Sequence, residues 1–111
     1  MSRETAKLLT VYLLEADNRL AEMDEALDTL AATPADAAAC RRLGRALHTI
    51  KGNSAMMGLE SLVEAALAAE HLVPGQVCGP ATLAALRAAR AEIEALIATV
   101  GAQWATTTTP E

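Results

Sequence analysis

Leu9, Ala16, Met23 and Leu30 recur every seven residues, and Leu13, Leu20 and Leu27 fall between them. Apolar positions at this spacing line one side of a helix. Glu15, Asp17, Arg19, Glu22, Asp24, Glu25 and Asp28 take the wet side. The pattern predicts a first helix over residues 2–32. It closes at Thr33-Pro34, because proline cannot continue a helix and biases the preceding residue toward extended geometry. A second helix starts at Pro34 or Ala35, with Asp36 in its first turn, and Cys40, Leu43, Leu47, Ile50 and Ser54 form its buried stripe. Gly58 reads as its C-terminal stop.

A third helix spans Leu59 to Leu72 and is stopped by Pro74-Gly75, leaving residues 74–79 as the main loop. Pro80 suits the first position of a fourth helix, whose stripe of Leu83, Leu86, Ile93, Ile97 and Val100 runs to Gly101. Thr106 to Pro110 reads as a linker or a frayed end. The expected organisation is one domain over residues 1–103, with residues 104–111 a tail or the start of an interdomain linker. Four amphipathic helices on short turns imply an all-α fold, an up-down antiparallel four-helix bundle.

Composition narrows the function. At 111 residues the chain is one domain, too short for a catalytic machine with its own nucleotide pocket. It is 52% apolar with one Tyr, one Trp and no Phe, so alanine supplies much of a closely packed helical core. A net charge of −5 argues against nucleic-acid binding. No apolar run reads as a signal peptide or membrane span, which suggests a cytoplasmic chain. Cys40 and Cys78 form no CxxC pair and take no assigned role. The helices present no inward Glu-x-x-His pairs for a metal.

Candidate chemistry gathers on the second helix. At about 100° per residue, His48 lies roughly 120° from the centre of the apolar stripe, on the flank or outside. Arg41, Gly44, Arg45, Lys51 and Gly52 surround it. Gly44 and Gly52 each cost about 1 kcal/mol relative to alanine in a helix, yet they leave the imidazole standing clear for a large partner. The third helix adds a second anomaly. Glu70 falls near the centre of a buried stripe made by Leu59, Leu62, Val63, Ala66, Ala69 and Val73, where a carboxylate needs a partner. A hairpin turning at Gly58 carries about 15 Å of rise down from His48 and about 16 Å back to Glu70, so the two meet at one level. A carboxylate bonded to one ring nitrogen leaves the other unprotonated and nucleophilic.

The run His48-Thr49-Ile50-Lys51-Gly52-Asn53-Ser54-Ala55-Met56-Met57-Gly58-Leu59 resembles the phosphorylation motif of histidine-containing phosphotransfer domains. Lys51, Gly52, Ser54 and Gly58 match the family's Lys, Gly, small residue and Gly. Thr49-Ile50 and the third helix are most similar to the N-terminal phosphotransfer domain of chemotaxis-type histidine kinases, where Glu70 occupies the position of a glutamate bonded to Nδ1. In that subgroup a second histidine often stands where this chain has Leu67, Met57 takes a position that often holds an aromatic, and His71 points to another face.

The resemblance implies a phosphorelay intermediate of two-component signalling. His48 takes a phosphoryl group on Nε2 from a kinase ATP-binding domain or a receiver, and passes it to a receiver aspartate. Lys51 would offset phosphoryl charge, Arg41 and Arg45 would do the same or steer an acidic partner, and Gly44 and Gly52 would give access. Ser54 is read as a small packing residue. The chain is expected to be a monomeric carrier rather than an enzyme, with no cofactor of its own, ATP and Mg²⁺ belonging to partner domains. The dimerisation helix of an ordinary sensor kinase fits less well, since Thr49 rather than an acid follows the histidine and no proline appears until Pro74. The other alternative is a helical protein-interaction module without phosphoryl chemistry, which requires Lys51, Gly52, Gly58 and inward Glu70 all to be coincidence.

Overall fold

The computed structural model describes residues 2–107. Four helices follow in order, α1 (Arg3–Ala32), α2 (Ala37–Met56), α3 (Glu60–Leu72) and α4 (Pro80–Thr107). α1 packs on α2 and α4, and α3 packs on the same two, so the helices stand at the corners of a square. Short turns between neighbours make the arrangement up-down and antiparallel. The molecule is elongated, 53 × 20 × 19 Å.

Each boundary has a local cause. Ser2 caps α1 by accepting the Thr5 N–H at 3.1 Å. Asp36 is the N-cap of α2 rather than a residue of its first turn, and its carboxylate accepts the Ala39 N–H at 2.9 Å. That geometry moves the helix start to Ala37, past the proline, because a cap residue must stay outside helical dihedrals. Gly58 closes α2 with a φ of 71°. The Gly58 N–H donates to the Ala55 carbonyl at 3.1 Å and the Leu59 N–H to the Ser54 carbonyl at 2.9 Å. This paired closure satisfies the last carbonyls of the helix and needs a residue tolerant of left-handed backbone.

α4 begins at Pro80 as the sequence predicts but continues past Gly101 to Thr107. A glycine inside a helix costs only about 1 kcal/mol, and a Cβ at Gly101 would meet the Leu13 side chain at ordinary contact distance, 3.9 Å. α4 is therefore supported there by α1. Of the segment expected to be a tail, residues 104–107 are helical and residues 108–111 lie outside the described residues.

The core runs the length of the bundle. Met23, Leu27, Leu30, Leu43, Leu47, Ile50, Leu62, Leu86 and Ile93 are fully buried, with Ala26, Ala39, Ala66 and Ala69 between them. Alanine at these contacts lets helix axes approach closely. Two polar features complete the packing. Arg90 grips Asp24 through Nε and a terminal nitrogen, each at 2.9 Å, and also pairs with Glu94, joining α4 to α1. Tyr12, which the heptad reading passed over, is buried and shares a 2.8 Å hydrogen bond with the Ser54 hydroxyl. Ser54 thus does more than leave room for its neighbours. At one end of the bundle the Cys78 N–H donates to the Pro34 carbonyl at 2.8 Å, drawing the α3–α4 loop against the α1–α2 turn. Cys40 and Cys78 are buried free thiols, and burial first, then the neighbouring Cys40, pushes the Cys78 thiol up.

Candidate functional site

α2 has an outer face opposite the Leu43–Leu47–Ile50 core stripe, and His48 stands on it. Its side chain is 73% exposed. Helical phasing and the absence of neighbouring side chains explain this. A Cβ built on Gly44 or Gly52 meets nothing within 4 Å, so packing does not require glycine at either place. Their effect is outward: bare backbone lies one turn before and one turn after the imidazole.

The Gly58 turn sets the register of α3 on α2 and delivers Glu70 to His48. Glu70 Oε2 lies 3.7 Å from His48 Nδ1, and the Glu70 side chain is 22% exposed. This separation is ion-pair range but longer than a hydrogen bond. The expected bond to Nδ1 is therefore not formed in this structure, and the physical reason is adjacent. Lys51 Nζ stands 2.7 Å from Glu70 Oε1 and holds the carboxylate toward itself. Oε1 makes no aligned hydrogen bond there, so the contact is an ion pair. The register argument that brings Glu70 to His48 brings it equally to Lys51, one turn on. That signal was available in the sequence.

The remaining sequence-predicted residues sit along the same helix. Arg41 and Arg45 are exposed, on the N-terminal side of His48. With Arg42 they have no acid within ion-pair distance among the described residues, and α2 itself contains no Asp or Glu. A cleft of about 330 Å³ between α1 and α2 is lined by Arg19, Glu22, Arg42, Arg45 and Thr49. Arg19 is neutralised there by Glu22 at 3.0 Å. The cationic helix thus contrasts with a chain of net charge −5. Leu67 is exposed on α3, and His71 is exposed in the last turn of that helix.

One feature of this face escaped the sequence reading. Met56 is 86% exposed, and with Leu8, Val11 and Met57 it lines a shallow groove of about 140 Å³ between α1 and α2. The helical wheel could have found it, since Met56 falls outside the apolar stripe.

In chemical terms the arrangement offers one accessible imidazole, a carboxylate near its Nδ1 and an ammonium one turn away. It can receive an electrophile from a partner. Among the described residues no three His, Cys, Asp or Glu side chains gather to hold a metal ion, and no helix is long and apolar enough to cross a membrane. Comparison with curated proteins and with solved structures gives no match. The family model for the Hpt domain matches residues 7–101, which takes in the whole of α2 and α3 with the His48–Glu70–Lys51 cluster. A match of that extent settles the family: the chain belongs to the Hpt domains, whose role is phosphotransfer in two-component signalling.

Proposed function

We propose that His48 is the phosphoacceptor. Its Nε2 takes a phosphoryl group from a kinase ATP-binding domain or from a receiver's aspartyl phosphate, and gives it to a receiver aspartate. The observation that carries this reading is the 73% exposed imidazole with Glu70 Oε2 at 3.7 Å from Nδ1. In the acceptance step the Nε2 lone pair forms the N–P bond as the O–P bond to the leaving nucleoside diphosphate or carboxylate breaks. The ring keeps its Nδ1 proton and becomes cationic, and Glu70 faces the nitrogen that carries the new charge. In the donation step the N–P bond breaks, a carboxylate oxygen takes the phosphorus and the neutral ring returns.

Lys51 has two duties in this account. It holds Glu70 in place, and its side chain, 25% exposed and one turn along α2 from His48, supplies an ammonium to offset phosphoryl charge. Arg41 and Arg45 bias the approach of acidic partner sites. Gly44 and Gly52 let the rim of such a site come down onto the helix. ATP and Mg²⁺ are supplied by partners, so the chain carries the group and does not activate it. The partner set resembles that of a chemotaxis-type kinase, in a monomeric cytoplasmic setting.

The test uses labelled ATP alone in one reaction and labelled ATP with a chemotaxis-type kinase domain in another. Acid-labile label on the chain only in the second supports the proposal. Label with ATP alone contradicts a carrier, and no label in either favours an interaction module without phosphoryl chemistry.

A further inference from the structure

The flank of α2 that turns toward α1 carries its own charge. At about 100° per residue Arg42, Arg45 and Thr49 fall within a sector of about 60°. They form the α2 wall of the cleft of about 330 Å³ whose α1 wall is Arg19 and Glu22. Glu22 supplies the one carboxylate in that lining, and it is already paired with Arg19 at 3.0 Å. Arg42 and Arg45 have no acid within ion-pair distance among the described residues, so the lining keeps two uncompensated positive charges. Two further donors there are idle. Arg19 spends a terminal nitrogen on Glu22, while its Nε is buried without a hydrogen-bond partner. Thr10, Thr29 and Thr99 each return the hydroxyl to the carbonyl four residues back, but Thr49 makes no such bond. A buried donor without an acceptor is unfavourable until an acceptor arrives.

We infer that this cleft binds a phosphate oxyanion, held by Arg42, Arg45, the Arg19 Nε–H and the Thr49 hydroxyl. Charge selects the class, since two free guanidiniums match a dianion and their planar forks fit phosphate oxygens. Hydrogen bonding selects it again. All four groups donate, so a ligand made of acceptors satisfies them and a neutral or cationic one does not. Size admits it: a water occupies about 30 Å³ in the liquid, so a cleft of about 330 Å³ takes inorganic phosphate or a short polyphosphate chain. The ligand is therefore free phosphate or the phosphate chain of a nucleotide, one chemistry from two sources. The site is separate from the His48–Glu70–Lys51 cluster. Thr49 lies about 100° round α2 from His48, on the α1 side, whereas Lys51 pairs with Glu70 of α3. An occupant cancels two of the four cations of α2, and so sets how positive the helix is beside His48. The inference goes beyond the phosphotransfer reading and does not depend on it.

The experiment titrates the full ¹⁵N-labelled chain and follows the Arg19 Nε–H resonance, identified by its loss in Arg19→Lys. One arm adds inorganic phosphate, a second adds magnesium-free ATP, and controls add adenosine or sodium chloride at matched ionic strength. The inference expects the resonance to move saturably with phosphate or with ATP, and not with either control. Movement with phosphate assigns the free ion, and movement with ATP alone assigns the nucleotide chain. Arg42→Gln and Thr49→Val, combined in one variant, should raise the half-saturating concentration at least tenfold while the melting temperature without phosphate stays that of the parent. A variant that fails to fold leaves the test with the parent's Arg19 signal, which needs no substitution at the cleft. A static Arg19 signal in both phosphate arms, an equal response to chloride or adenosine, or a folded variant that binds as the parent does would overturn the inference. A chain that accepts label on His48 but shows no such movement overturns this site alone. One that binds phosphate but takes no label overturns only the phosphotransfer reading.

Discussion

The imidazole of His48 has little to do with folding and, on the present account, everything to do with transfer. Its side chain makes no packed contact that a glutamine would lose, so His48→Gln should abolish acceptance while changing stability by no more than about 0.5 kcal/mol. Glu70→Ala should slow acceptance without abolishing it, because Nε2 remains exposed and only the charge facing Nδ1 is lost. Single-turnover labelling checks both, and a Glu70→Ala variant as fast as the parent would remove Glu70 from the mechanism. Tyr12 is the opposite kind of residue, silent in chemistry and built into the fold. Burial pushes its hydroxyl above the ordinary 10.0, an effect partly countered by its hydrogen bond to Ser54. A raised folded-state value means that the contribution is fully present below pH 10 and is lost as pH rises through the folded value, because the unfolded chain gives up its proton first. Urea unfolding at pH 8 and pH 11 should therefore show a smaller alkaline loss of stability in Tyr12→Phe than in the parent. Cys78 adds an alkaline loss of the same sign to both chains, so the difference isolates Tyr12. At pH 8 the same variant leaves the buried Ser54 hydroxyl without its partner and should cost about 1–3 kcal/mol.

At the scale of elements, the turn at Gly58 decides whether a site exists at all. Its left-handed backbone returns α3 along α2 in the register that brings Glu70 beside Lys51 and His48. Gly58→Ala should cost about 1–2 kcal/mol, measured by thermal or urea unfolding, and more than the same change at Gly44 or Gly52. A Gly58→Ala variant as stable as the parent would mean that the turn tolerates a side chain. Most of this was legible from the chain. Heptad spacing gave α1, proline and glycine gave four of the helix boundaries, and counting residues either side of Gly58 put Glu70 level with His48. Three things were not legible, for separate reasons. Gly101 reads as a stop, but contact with α1 carries α4 through it. Tyr12 is a polar side chain between heptad positions, and its burial depends on Ser54 arriving from another helix. The register that places Glu70 level with His48 also places it near Lys51, but which of the two holds the carboxylate is a matter of ångströms, which periodicity does not supply.

Over the whole molecule, charge is sorted by helix. α2 carries Arg41, Arg42, Arg45 and Lys51 with no acid, while α3 carries Glu60, Glu64 and Glu70 with no Lys or Arg. The reactive face is thus a cationic strip on an anionic body, a layout that steers partners of opposite sign and is screened by salt over about 8–10 Å at ordinary ionic strength. Transfer to a receiver should slow as salt rises, and an Arg41→Ala/Arg45→Ala variant should flatten that dependence. Equal salt slopes in the two chains would remove the arginines from the encounter. A pulse-chase follows one exposed imidazole as it receives and then releases a phosphoryl group. The chain is labelled by a kinase domain, purified free of kinase and ATP, and mixed with a receiver domain. Acid-labile phosphate on His48, mapped by fragmentation mass spectrometry, should leave the chain as it appears on the receiver's aspartate. Label on any other residue, or label on His48 that no receiver removes, would contradict it.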